Sequence, residues 1–269
     1  MCRVLSVSSS GYYRWSTSPV SGRERDNFIL ATQIKDVYEA EKQRVGSIRV
    51  TKRLQERNIH VGRNRVAKIM RLNGWRAKGS RKFKATTNSN HKMPVAENLL
   101  NQNFTAKYPN EKWVSDITYI ATGEGWLYLA VVMDLYSRAV IGWSLSNRMT
   151  ATLVIDALKM ALWRRKMPKG VIVHSDRGSQ YCSKDYQSLL SKHELICSMS
   201  KRGDCFDNAA MESWNGSFKV EAIHGEQFKT REIAKQHIFE YIEVYYNRIR
   251  LHSLLGYKSP EAFEGEKVA

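Results

Sequence analysis

The sequence predicts an α/β domain, a central sheet covered by helices, preceded by a small basic helical region of helix-turn-helix type. Three observations carry this expectation. Residues 112 to 146 contain three successive runs rich in β-branched and aromatic residues, split by turn residues. Helix-period stretches follow, interrupted by one short apolar run, VIVHSD (171 to 176). The third observation is charge. The 269-residue chain has a formal net charge of +17, and residues 1 to 95 carry 21 Lys and Arg against 6 Asp and Glu, whereas residues 96 to 269 carry 22 against 20.

Charge concentrated in this way points to a polyanion-binding arm joined to a nearly neutral body, because Lys and Arg gain affinity by displacing counterions from phosphates. An anionic membrane is the competing partner, but no basic amphipathic helix with an aromatic apolar face stands out. Within the arm, VGSIRVTKRLQERNIHVGRNRVAKIMRLNGW (45 to 75) reads as two short helices around the break NIHVG. The second would bury Val66, Ile69 and Met70 and turn Arg63, Arg65, Lys68 and Arg71 outward, as a helix laid on DNA does. Residues 77 to 95, which include the polar, aperiodic KGSRKFKATTNSNH, read as a linker, and the domain boundary is placed near residue 95.

In the body, KWVSDITYIAT (112 to 122), GWLYLAVVMDLYS (125 to 137) and AVIGWSLS (139 to 146) are expected to form three antiparallel strands, with turns at Gly123 to Gly125 and near Ser137 and Arg138. TATLVIDALKMALWRRK (150 to 166) has a helical period and ends in cations, which suit a helix C-terminus. The buried strand 171 to 176 follows Pro168 and Gly170, and further helices are expected over about 183 to 193, 207 to 222 and 231 to 250. No run of 18 apolar residues is present, and MCRVLSVSSSGYYRW lacks the apolar segment of a signal peptide, so a soluble cytoplasmic protein with no membrane partner is expected. Cys2, Cys182, Cys197 and Cys205 show no C-x-x-C spacing and no zinc-type grouping with histidines, which favours free thiols.

Three carboxylates are hard to explain as packing. Asp116 interrupts the strand run WVSDITYI and Asp176 ends VIVHSD before the loop RGSQY, although strand interiors disfavour Asp and a buried carboxylate is costly without compensation. Taken alone, Asp176 also reads as a loop cap. In DNAAMESWNGSFK (207 to 219), Met211, Trp214 and Phe218 form one apolar stripe, while Asn208, Glu212, Asn215 and Lys219 share another face. Asp207 is expected to cap the helix. Glu212 alone reads first as a solvated surface glutamate. Together, the three acids would make an oxygen-rich pocket for divalent cations, with Mg²⁺ favoured by hard ligands and substrate phosphates. Two such ions would serve in-line phosphoryl transfer, and Lys219 would point a cation at nearby DNA phosphate.

With WVSDITYI, HSDRGSQY and DNAAMESWNGSFK in this order, the chain resembles the DDE transposases of bacterial insertion sequences, most closely the insertion sequence 3 family, whose core is like that of retroviral integrases. Between Asp176 and Glu212 lie 35 residues, the spacing of that family's acidic triad, and Lys219 falls on its trailing basic position. YYNRIRLHSLLGYKSP matches a further signature through Tyr246, Asn247, Arg250, His252, Leu255, Gly256 and Pro260. The resemblance implies a ribonuclease H-like core over residues 96 to 269, with Asp116, Asp176 and Glu212 as catalytic ligands of two Mg²⁺ ions, Mn²⁺ being able to substitute. It implies cleavage and joining of DNA at the ends of a mobile element, in the bacterial cytoplasm at the nucleoid. His174, Gln180 and Tyr181 are then expected in the second shell, and Asn208, Lys219 and Arg250 as DNA contacts.

Two departures stand out. The His and Cys zinc module that opens retroviral integrases is missing, and the start MCRVLSVSSSGYYRW looks like a second reading frame, joined in the family to an upstream product by frameshifting. That product would supply terminal-repeat recognition and a coiled coil, since no leucine heptads occur here. At least a dimer is expected, because two element ends must meet. The alternatives are a DNA-binding regulator of the element and a purely hydrolytic nuclease.

Overall fold

A computed structural model describes residues 2–18, 21–79, 95–201 and 205–266. The chain divides into two compact units, Met1–Lys78 and Gly79–Ala269. Most of the expected linker, residues 80–94, lies outside the described residues.

The first unit holds four helices: α1 (Ser9–Thr17), α2 (Gly22–Ala40), α3 (Ser47–Glu56) and α4 (Arg63–Leu72). The last two are the expected helix-turn-helix pair. They pack on α2 around Ile34, Val37, Val50, Leu54, Val66, Ile69 and Met70, all buried. Arg63, Lys68 and Arg71 are exposed as expected. Arg65 is half-buried, its Nε donating to Asn27 Oδ1 at 2.8 Å, which ties α4 to α2 and takes Arg65 off the free basic face. No clear apolar period marks the long α2 in the sequence, although SGRE carries its start signal: Ser21 and Glu24 form a reciprocal capping box.

The second unit is built on a five-stranded mixed sheet of order β3-β2-β1-β4-β5. Its strands are β1 (Lys112–Thr122), β2 (Gly125–Asp134), β3 (Val140–Ser146), β4 (Ile172–Ser175) and β5 (Ile196–Met199). β1 runs antiparallel to β2 and parallel to β4, and β4 runs parallel to β5. This is the expected mixed sheet covered by helices. β2 stops at Asp134, three residues before the expected end, because the Asp134 carboxylate accepts the N–H groups of Tyr136 and Asn110 and turns the chain.

Side chains alternate across the sheet with period two, so each strand feeds two cores. Trp113, Ala130, Val132 and Val173 pack under α5 (Ala151–Arg164) and α6 (Lys184–Lys192). Gly142 in β3 is what lets α5 approach, since a Cβ there would fall on the Ala157 carbonyl and within 2.8 Å of Ala161. Val114, Ile120, Leu129 and Val131 face the other way, under α7 (Ala209–Phe218) and α8 (Arg231–Phe239). Neither helix continues as a regular α-helix to the expected end. Lys219–Ile223 and Glu240–Tyr246 widen to π-helix, before a last short helix, α9 (Pro260–Gly265).

Candidate active site

The parallel register places Val114 beside His174. Asp116 stands two residues further along β1 and Asp176 just past the end of β4, so two acids distant in sequence are brought close enough for Asp176 to repel the Asp116 carboxylate. Asp176 follows the last residue of β4, and its Oδ1 accepts the Gly178 N–H at 2.9 Å, closing a local turn. The local turn expected of a loop cap is therefore present. Asp116 Oδ1 accepts the Ile117 N–H at 2.9 Å. Burial pushes the Asp116 carboxyl up to about 8, with repulsion from Asp176 next and from Glu212 a smaller contribution.

α7 supplies the third wall. Met211, Trp214 and Phe218 are buried as one stripe, with Trp214 and Phe218 stacked at 5.2 Å. That anchorage turns the next face toward β1. Asn215, one turn beyond Glu212, donates from Nδ2 to Asp116 Oδ2 at 2.7 Å, and Asn208 donates to the Ser115 carbonyl at 3.4 Å. Asn215 had no role assigned from sequence. Its signal was its i+3 position on the Glu212 face. Glu212 itself is exposed, with its carboxyl raised by partial desolvation. Among the described residues, no three His, Cys, Asp or Glu side chains already stand close enough to hold one ion. Asp116 and Asp176 are the preassembled pair.

Behind them, Tyr181 is fully buried and shares a 2.9 Å hydrogen bond with Ser115 Oγ; burial and the two nearby aspartates hold its hydroxyl far above the usual range. Gln180 donates to the Met149 carbonyl, and its Oε1 flanks Gly178 opposite Asp176. His174 is inaccessible. Its Nδ1 meets Ser198 Oγ at 2.9 Å and its Nε2 meets Ser200 Oγ at 3.2 Å, so it braces β4 to the β5 edge, and burial lowers its pKa to about 4.

Four expectations need correction. Asp207 does not cap α7; its buried carboxylate accepts from Asn98 Nδ2 and the Lys201 N–H, pinning two loops. Lys219 does not point outward. It is buried where the helix widens, its Nζ donating to the Tyr119 carbonyl and lying 4.9 Å from that ring, with burial lowering its pKa to about 8. Arg250 is no free DNA contact, because it is buried and gives Nε and Nη2 to Glu221 at 2.8 and 2.9 Å. Asn208 is likewise buried.

Residues 106–205 and 212–267 match the integrase core domain family, and residues 24–83 match an HTH-like domain. A polynucleotidyl transferase core joined to a DNA-binding helical domain is the class that fold, site and matches define. Transposase InsF of insertion sequence IS3A from Escherichia coli K12 is 52% identical over 271 residues, covering 100% of this chain and 94% of that protein. A 31 kDa protein of insertion element IS600 from Shigella sonnei is 46% identical, covering 98% and 97%. The chain belongs to the insertion sequence 3 family of transposases. Among solved structures, a simian T-cell lymphotropic virus intasome chain is 14% identical with a TM-score of 0.48, covering 86% of this chain and 73% of that one. The HTLV-2 integrase catalytic core domain with magnesium is 16% identical with a TM-score of 0.43, covering 59% and 99%. Among the described residues, no helix is long and apolar enough to cross a membrane.

Proposed function

We propose that this transposase cleaves and joins DNA strands at the ends of an insertion sequence, with Asp116, Asp176 and Glu212 holding two Mg²⁺ ions for which Mn²⁺ can substitute. The observation that carries the reading is the nearness of Asp116 and Asp176 that the β1–β4 pairing creates, where burial and then repulsion from Asp176 lift Asp116 to about 8. Such a pair of hard oxygen donors is stabilised by a divalent cation. When bound, the ions supply charge that stabilises the attacking and leaving oxygens of an in-line displacement. The chain's own residues position that charge: Asn215 orients Asp116, the Gly178 N–H orients Asp176, and the stripe under α7 sets the direction of Glu212. The exposed cations Arg63, Lys68 and Arg71 of α4 offer a phosphate-binding face.

Joining two element ends calls for at least a dimer, and an upstream product of the same element is the partner expected for terminal-repeat recognition. The test is Mg²⁺-dependent joining of labelled duplexes carrying the ends that flank the gene, with the chain alone and with that upstream product. Glu212→Gln should abolish joined products while duplex affinity stays within about twofold, since a single exposed carboxylate leaves α7 and the basic face in place. Joining that survives Glu212→Gln refutes the triad. DNA binding without joining under either condition supports a regulator instead.

A further inference from the structure

A second feature lies on the other flank of α7. Between α7, the turn after β2 and the chain following Glu240–Tyr246, a cavity of about 30 Å³ is lined by Arg138, Ser213, Trp214, Ser217, Tyr246 and Arg250, among others. Its polar lining is rich in donors. The indole Nε1 of Trp214 is buried and has no acceptor among the described residues, a cost that native proteins rarely leave standing. Ser213 directly follows Glu212 and is exposed, and Ser217 already accepts from Arg250 at 3.1 Å, which leaves its hydroxyl proton to donate elsewhere.

The charge at the cavity is not balanced. Arg250 is matched by Glu221, but Arg138 meets no carboxylate among the described residues; its guanidinium donates to the Phe104 carbonyl at 3.4 Å. The Arg138 backbone is fixed in the turn between β2 and β3. Its φ is +60°, a left-handed backbone that ordinary side chains seldom adopt, and its carbonyl accepts the Tyr246 hydroxyl at 3.0 Å.

Size selects the ligand. At roughly 10–15 Å³ for each water-sized atom on this measure, the cavity of about 30 Å³ admits two or three such atoms, room for the two non-bridging oxygens of one phosphate with the rest of the group at the mouth, and not for a nucleobase. We propose that this cavity seats a single backbone phosphate of the DNA strand held beside Glu212, with Arg138 as its cationic contact and the Trp214 N–H and the Ser213 and Ser217 hydroxyls as neutral donors. The assignment rests on the proposed DNA-processing function. It adds a contact that sets where the strand lies relative to the carboxylates.

The test is equilibrium binding of the full chain to end duplexes without divalent metal, so that it reads the seat whether or not joining occurs. Arg138→Gln should lower the salt slope of the affinity by roughly 0.9, the value of one neutralised phosphate. A scan of single neutral methylphosphonate linkages should find one position that weakens the parent severalfold and Arg138→Gln not at all. Trp214→Phe, which keeps the ring and loses the N–H, and Ser213→Ala should blunt the effect at that same linkage. These two variants decide the matter if Arg138→Gln fails to fold. An unchanged slope with no such linkage overturns the proposal. So does Arg138-dependent thermal stabilisation by inorganic phosphate without a linkage effect, which would assign the cavity to a free anion.

Discussion

Replacing Arg250 by Met separates the two roles that this residue has been given, DNA contact from sequence and buried clamp from structure. The Arg250 and Glu221 side chains are 7% and 8% exposed, and Tyr241 donates to the same carboxylate at 2.9 Å. The pair joins the π-helical segment that follows α7 to the chain just past the second such segment, and Arg250 also reaches Ser217 in the last turn of α7. Removing one partner of a buried pair strands the other charge and costs about 3–5 kcal/mol. In a unit of this size each kcal/mol moves Tm by roughly 2–4 °C, so the expected fall is about 6–20 °C. Thermal unfolding followed by circular dichroism reads it. Restoring neutrality with Glu221→Gln in the same chain should recover most of the loss. Lys169→Ala, which removes the partner of Glu194 in a pair 69% and 62% exposed, should change stability by less than about 1 kcal/mol. Below the melting range, the salt slope of DNA affinity should not move, because the charge of Arg250 is already matched. A variant as stable as the parent, with a smaller salt slope, would refute the clamp and restore the DNA contact.

Two further outcomes follow. Because the Asp116 carboxyl is raised from 3.8 to about 8 in the fold, the folded metal-free protein binds more protons than the unfolded chain between those values. Its contribution to stability is therefore full below about pH 4 and is lost as pH rises through 8. Urea titrations across that window should show the decline, Asp116→Asn should flatten it, and an identical pH profile for the two proteins would show that the pair is not desolvated. Gly142→Ala puts a methyl group on the Ala157 carbonyl, so it should destabilise by about 1–3 kcal/mol or more and lower Tm; unchanged melting would mean that α5 has room to move away.

Patterned segments of ordinary length were legible in the chain. VTKRL and NRVAKIM carried enough apolar period to place α3 and α4, and the three β-rich runs placed the meander that presents Asp116. Asp116 and Asp176 were visible because each breaks an apolar strand at a cost that packing does not explain. What stayed hidden depends on partners distant in sequence. Ile196–Met199 is only four residues long, so β5 has no period of its own and exists through pairing with β4. Lys219 and Arg250 look solvent-facing on a helical wheel, but the π-helical turns and the Tyr119 carbonyl and Glu221 carboxylate draw both inward. α2 was readable through Ser21 and Glu24, and its mixed apolar spacing concealed it.

The parallel pairing of β1 with β4 also bears on when the protein becomes able to cut. Asp116 and Asp176 adjoin only through a sheet contact that spans α5 and both hairpin turns, and Asn215 and Glu212 arrive later still along the chain. Non-local pairings of this sort form late and slowly. A fragment that ends before α7 carries the basic helices while owning no complete set of carboxylates. On the proposed reading, strand breakage waits until synthesis has passed α7, and a chain ending before it is expected to bind DNA without cutting it.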